Sequence, residues 1–162
     1  MRFRLAVLVA VTSVLTVVSP AFAGPLPAVA AVHNAVVDWQ YVHHELYDVS
    51  LRQFVADTRT GDRWFDWSTD FCSAPLIGNT GRSFDFHGPC RRHDFGYRNL
   101  QRLEVRYGRG HVFWNSTERR RVDQQFLADM KAHCRTRSIF LRPSCRFWAA
   151  AFYTAVRVAG GP

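Results

Sequence analysis

The sequence has no Cys-x-x-Cys pair, no internal repeat, no low-complexity tract and no recognisable linker. A zinc centre built on four cysteines therefore lacks its usual spacing, and a second domain lacks a boundary. Alternation of apolar and polar residues is also scarce, which argues against a fold dominated by half-buried strands. Acidic residues are few, 13 Asp and Glu against 21 Lys and Arg, for a formal charge of +8. That balance favours anionic partners such as membrane surfaces, nucleic acids or cell-wall polymers, and does not choose among them. The basic residues are scattered except for Arg119-Arg120-Arg121, which reads as a solvated helical face.

The first residues have the pattern of an export signal. Arg2 and Arg4 precede a nearly uninterrupted apolar run from Leu5 to Val18, Ser19-Pro20 breaks it, and Ala21-Phe22-Ala23 places small residues where a signal peptidase reads. The run is too short to be a good membrane span. We expect residues 1–23 to be a signal peptide cleaved after Ala23, and residues 24–162 to form a single domain with a formal charge of about +6. Cys72, Cys90, Cys134 and Cys145 all lie in the mature part. An even number in an exported chain implies disulfides. Of three pairings, Cys72–Cys90 with Cys134–Cys145 closes the shortest loops and is the one expected.

Helical spacing recurs along the chain. Val29, Val32, Val36 and Trp39 predict a helix from Pro27 to about Gln40, and Leu46, Leu51, Phe54 and Val55 a second from about His43 to Val55. Gly78, Gly81, Gly88, Pro75 and Pro89 make residues 66–89 a long loop, and a loop of that length inside a small domain usually serves a ligand. Helix resumes near Cys90 and runs to about Arg106. Asn115 with Glu118 three residues on is a capping signature for the next helix, to about His133. A last helix begins near Pro143 and stops at Gly160. The two long helices, joined by a short connection, would lie antiparallel.

Two stretches carry chemistry: Phe65-Asp66-Trp67-Ser68-Thr69-Asp70-Phe71-Cys72 and Cys90-Arg91-Arg92-His93-Asp94-Phe95-Gly96-Tyr97-Arg98-Asn99. An imidazole with an ordinary pKa of about 6.5 can take a proton from water near neutral pH, and works better with a carboxylate that fixes its tautomer. Asp123 on the next helix is the candidate partner of His93. Adjacent helical residues diverge by about 100°, so Asp94 points elsewhere and is available for a metal. Calcium accepts carboxylates, backbone carbonyls and waters. Asp70 and Asp94 can supply two carboxylates, and a Cys72–Cys90 bridge would tie the loop of one to the helix of the other.

These two segments, together with Arg121-Val122-Asp123, Phe126, Asp129-Met130-Lys131 and Cys134, resemble the secreted phospholipase A2 family of bacteria and fungi. The similarity extends from about Val29 to Val158. It implies an all-α fold: a compact helical domain with two long antiparallel helices, two sequentially paired disulfides and a calcium-binding loop. It also implies a catalytic base at His93, oriented by Asp123, and calcium held by Asp70, Asp94 and the backbone carbonyl of Phe71. The implied reaction is hydrolysis of the sn-2 ester of a glycerophospholipid at a membrane or micelle surface, by a secreted monomer. The loop from Pro75 to Pro89 and the connection from Leu100 to Ser116 depart from the family pattern. The Gly-rich calcium loop and paired Cys-Cys of the animal enzymes are absent, so the resemblance is not to that branch.

Two other readings stand beside this one. A catalytically inactive lipid- or receptor-binding relative would not need His93, Asp94, Asp70 and Asp123 together. A basic secreted nuclease or toxin would need a second catalytic motif, and none stands out, so nucleic acid is not expected as a partner.

Overall fold

Three helix starts in this protein are set by side chains that stand in for missing backbone acceptors. Asn34 accepts the N–H groups of Val36 and Val37, Ser50 that of Gln53, and Asn115 those of Thr117 and Glu118. The computed structural model describes residues 32–72 and 84–159. These hold α1 (Ala35–His43), α2 (Leu51–Asp57), α3 (His87–Tyr107), α4 (Ser116–Arg135) and α5 (Arg142–Ala159), with no strand among the described residues. The expected signal peptide and the glycine-rich part of the expected loop lie outside them.

Four boundaries differ from the sequence expectation. Residues 27–31 of the first expected helix lie outside the described residues, but Asn34 within its span is extended, with φ −154°, and α1 begins only after it. No break separates Gln40 from His43. The chain continues through a π-helical turn, His44–Asp48, closed by Val49 N–H donating to His44 C=O at 3.2 Å. The break falls instead at Val49 and Ser50, both extended, inside the helix expected from about His43 to Val55. Periodicity misread this junction because an extra residue per turn shifts the apolar phase without ending the helix. Finally, α3 begins at His87 rather than Cys90. Gly88 and Pro89 fit inside its first turn, where a proline's missing N–H has no intrahelical acceptor to lose.

Helices α3 and α4 are antiparallel. Phe86 meets His133, His93 meets Phe126, and Tyr97 meets Arg119, so positions rise on one helix as they fall on the other. Helix α5 packs on α4, while α1 and α2 pack on α3. Close approach of α3 depends on Gly96, where a Cβ would come within 2.9 Å of both Leu46 Cδ2 and Val122 Cγ1. The register of the pair is held by Glu104, whose carboxylate accepts the N–H groups of His111, Phe113 and Trp114. That ties down a connection in which Gly110 (φ 90°) and His111 (φ 66°) are both left-handed.

Apolar side chains form two clusters. One gathers Leu46, Phe54, Phe65, Phe95, Leu100 and Val122 with their neighbours, and the other Phe86, Phe126, Met130 and Phe152 around the Cys134–Cys145 disulfide. Val122 belongs to the first and Phe126 to the second, so the turn of α4 between them, which carries Asp123, sits where the clusters meet. The cysteines pair as Cys72–Cys90 and Cys134–Cys145.

Candidate active site

His93 and Asp123 face one another across the α3–α4 interface. His93 Nε2 lies 2.9 Å from Asp123 Oδ1, with His93 7% exposed and Asp123 fully buried. Burial by itself would raise the Asp123 carboxyl, but hydrogen bonds from His93, Arg157 and Tyr97 outweigh it and hold the group below its usual range. An ionised Asp123 requires the proton of His93 on Nε2, which leaves Nδ1 with the lone pair. The ring is boxed by Tyr97 and Phe126, with centroids at 4.4 and 4.8 Å.

Asp123 is held by more groups than the sequence suggested. Tyr97 Oη donates to the same Oδ1 at 2.8 Å, and Arg157 Nη1 from α5 donates to Oδ2 at 2.8 Å. Burial, followed by the hydrogen bond to Asp123, raises the Tyr97 phenol, so it remains a donor. The expectation that Arg119 lies on a solvated face is not met. Its Nε donates to Tyr97 Oη at 3.2 Å, and its Nη2 donates to the carbonyls of Val156 and Arg157 at 3.1 and 2.7 Å. Arg120 and Arg121 are exposed, as expected. Two of these residues were legible: Tyr97 is four residues after His93, and Arg119 four before Asp123, which puts each on the same helical face. Arg157 left no local signal.

Asp94 points toward the loop before Cys72. Its Oδ2 accepts from Thr69 Oγ1 at 2.5 Å and from Asp70 N–H at 3.1 Å. Burial raises the Asp94 carboxyl, and the neighbouring charge of Asp70 pushes it in the same direction, against the hydrogen bond from Thr69. Thr69 Oγ1 also accepts the N–H of Phe71 at 3.0 Å, and Asp70 Oδ1 that of Cys72 at 3.1 Å. Phe71 and Cys72 have φ of 57° and 61°, a conformation costly for residues with a Cβ and retained where surroundings impose it. The Phe71 ring packs edge-on to His87 and beneath the Arg91 guanidinium, at 4.9 and 4.8 Å.

The loop reaches Asp94 along a ladder of α3 side chains. Arg106 stacks on Trp64 at 4.1 Å and donates to its carbonyl, Arg102 pairs with Asp66 at 2.7 Å, and Arg98 donates to Ser68 Oγ at 2.7 Å. Each step of four residues on α3 matches two on the loop. Arg106 meets Trp64, Arg102 meets Asp66 and Arg98 meets Ser68, so the two run antiparallel in step. Within the ladder, Asn99 is almost fully buried and bonds the loop backbone twice, accepting from Asp66 N–H at 2.8 Å and donating to Asp66 C=O at 2.9 Å. The Cys72–Cys90 disulfide closes the end next to Asp94.

The donors here suit calcium. The Asp94 carboxylate accepts from the Asp70 backbone beside a sharply turned main chain, the negative charge of Asp70 opposes the ionisation of Asp94, and both carboxylates offer oxygen donors. Among the described residues no three His, Cys, Asp or Glu side chains gather as metal ligands. Asp70 and Asp94 would therefore need backbone carbonyls and waters to complete a shell.

The helical pair thus presents a buried His93–Asp123 pair beside the loop that carries Asp70, and comparison with known proteins gives the family. Residues 42–160 match the family model for prokaryotic phospholipase A2, so the chain belongs to that family. It is 38% identical over 96 residues to a secretory phospholipase A2 of Beauveria bassiana, covering 59% of this chain and 44% of that protein. It is 35% identical over 98 residues to a secretory phospholipase A2 of Arthroderma benhamiae, covering 59% of this chain and 60% of that protein. The matches thus span about half the length of these relatives.

Proposed function

We propose that the protein is a secreted, calcium-dependent phospholipase A2 that hydrolyses the sn-2 ester of glycerophospholipids to a fatty acid and a lysophospholipid. The observation that carries this reading is the buried His93–Asp123 pair at 2.9 Å, with Asp94 next to His93 in sequence and Asp70 brought to it by the loop.

His93 Nδ1 takes a proton from a water whose oxygen attacks the ester carbonyl carbon. Asp123 offsets the positive charge that the ring then carries, and Tyr97 and Arg157 keep Asp123 in place and ionised. As the carbonyl re-forms, the bond to the glycerol oxygen breaks and His93 returns the proton to it. Asp70, Asp94 and the Phe71 carbonyl would hold calcium, whose charge, when bound, offsets those of the phosphate and of the oxyanion in the transition state. The reading includes export after cleavage at Ala23, action as a monomer, and a phospholipid surface as partner. Among the described residues no helix is long and apolar enough to cross a membrane.

The deciding experiment incubates the purified protein, disulfides intact, with phosphatidylcholine vesicles in calcium or in chelator. Fatty acid should be released only with calcium. Equal release in chelator would remove the metal from the mechanism, and no release in either would remove the enzyme reading.

A further inference from the structure

Charge is segregated along this chain. From Met130 to Pro162 there is no Asp or Glu, whereas Lys131, Arg135, Arg137, Arg142, Arg146 and Arg157 are cationic. Residues 32–62 have the opposite bias, with Asp38, Glu45, Asp48, Asp57 and Asp62 against Arg52 and Arg59. Both regions expose apolar side chains, but only the cationic one combines them with a charge that selects a partner.

At the centre of the cationic region, the turn between α4 and α5 holds three consecutive apolar side chains in solvent. Ile139 is 69% exposed, Phe140 89% and Leu141 51%, and Phe147 in α5 is 68% exposed. A single exposed apolar residue needs no explanation; four large ones within nine positions do. Nor is the turn loose. Leu141 and Arg142 N–H donate to Ser138 C=O at 3.0 and 3.2 Å, and Arg142 Nε donates to Arg137 C=O at 3.0 Å. Cys134–Cys145 clamps both flanks. The tip is thus held outward by the fold. It lies at the end of the helical pair where α3 begins, since Phe86 packs on His133 and Phe152 at 5.4 and 5.8 Å.

We infer that the Ile139-Phe140-Leu141 tip, with Phe147 and the surrounding Arg135, Arg142 and Arg146, docks the protein on an anionic phospholipid surface. Apolar side chains enter the acyl boundary while guanidinium groups remain among the headgroups, the division of labour that interfacial binding requires. A second copy meeting the tip with its own tip is disfavoured as occupant because it would bring the same cationic collar against itself. The inference deepens the phospholipase reading by naming its contact surface, but docking is measurable without turnover.

The test uses protein carrying His93→Gln, so that vesicles stay intact, sedimented in chelator with phosphatidylcholine vesicles with or without phosphatidylglycerol. The parent should bind the anionic vesicles at least about tenfold more tightly than the neutral ones. I139S/F140S/L141S should weaken that binding at least about tenfold, in low and high salt alike. R135Q/R146Q should weaken it in low salt and have little effect in high salt. Undiminished binding by the triple variant overturns the inference, as does light scattering that finds a parent dimer which the triple variant dissolves. With His93 restored, the triple variant should hydrolyse dispersed short-chain phospholipid normally and vesicles poorly. If the restored protein hydrolyses neither substrate yet binds anionic vesicles through the tip, the enzyme reading fails and the docking surface stands.

Discussion

Arg157, near the end of α5, donates from Nη1 to Asp123 Oδ2 at 2.8 Å, on the carboxylate whose other oxygen faces His93. The last helix therefore takes part in the candidate site without contributing a reacting group. Its guanidinium helps keep Asp123 ionised, and Arg119 fixes the backbone around Arg157 by donating to the carbonyls of Val156 and Arg157.

Replacing Arg157 with Ala should leave Asp123 able to meet His93 but less firmly oriented. We expect kcat to fall about tenfold with KM little changed. Steady-state kinetics on mixed micelles will check this, and an unchanged kcat would show that Tyr97 and His93 suffice to hold the carboxylate.

Gly96→Ala places a methyl group against Val122, one residue before Asp123. Because Val122 cannot swing its branches away, α4 should shift outward, costing about 1–3 kcal/mol and widening the His93–Asp123 gap. Thermal unfolding and activity should decline together. A variant that loses stability but keeps full activity would separate helix packing from site geometry.

Asn99→Leu retains bulk but deprives the Asp66 backbone N–H and C=O of their partners. The expected destabilisation is about 2–3 kcal/mol, and calcium affinity should drop because the ladder positions Asp70. Calorimetric calcium titration is the discriminating measurement. Full affinity in a folded variant would mean that the arginines and the disulfide hold the loop unaided.

Asp129 gives a pH dependence remote from the candidate metal. Burial pushes its carboxyl up from 3.8 to about 6, despite Arg92 at 3.5 Å and a hydrogen bond from Gln125. The native state therefore binds a proton more tightly than the unfolded chain, and this group's contribution to stability falls as pH rises from about 4 to about 6. The change should be about 2–3 kcal/mol, flat above that range. Denaturant unfolding of the parent and of Asp129→Asn should diverge with pH across this window; parallel curves would contradict the assignment.

Much of this was readable from local pattern. Asn115 announced the start of α4, and the resemblance carried by His93, Asp94 and Asp70 named the residues that the fold brings near one another. What the sequence concealed was geometry made by distant parts of the chain. The π-helical turn His44–Asp48 makes the junction after Gln40 look like a break because the apolar phase shifts there. Arg119 has the spacing that puts it on the face of Asp123, but nothing local shows that α5 will pass over it and take it out of solvent. The ladder pairing Arg98, Arg102 and Arg106 with the loop depends on how the loop lies along α3, a relation visible only once both segments are placed.

The Cys72–Cys90 bridge gives the loop a dependence on its surroundings that hydrogen bonds lack. It joins the residue two positions after Asp70 to the residue four before Asp94, and it exists only where thiols are oxidised. In a reducing compartment that end of the loop would regain chain entropy, and the two carboxylates would meet less often. If the chain hydrolyses lipid as proposed, dependence on this bridge would restrain it wherever thiols are kept reduced.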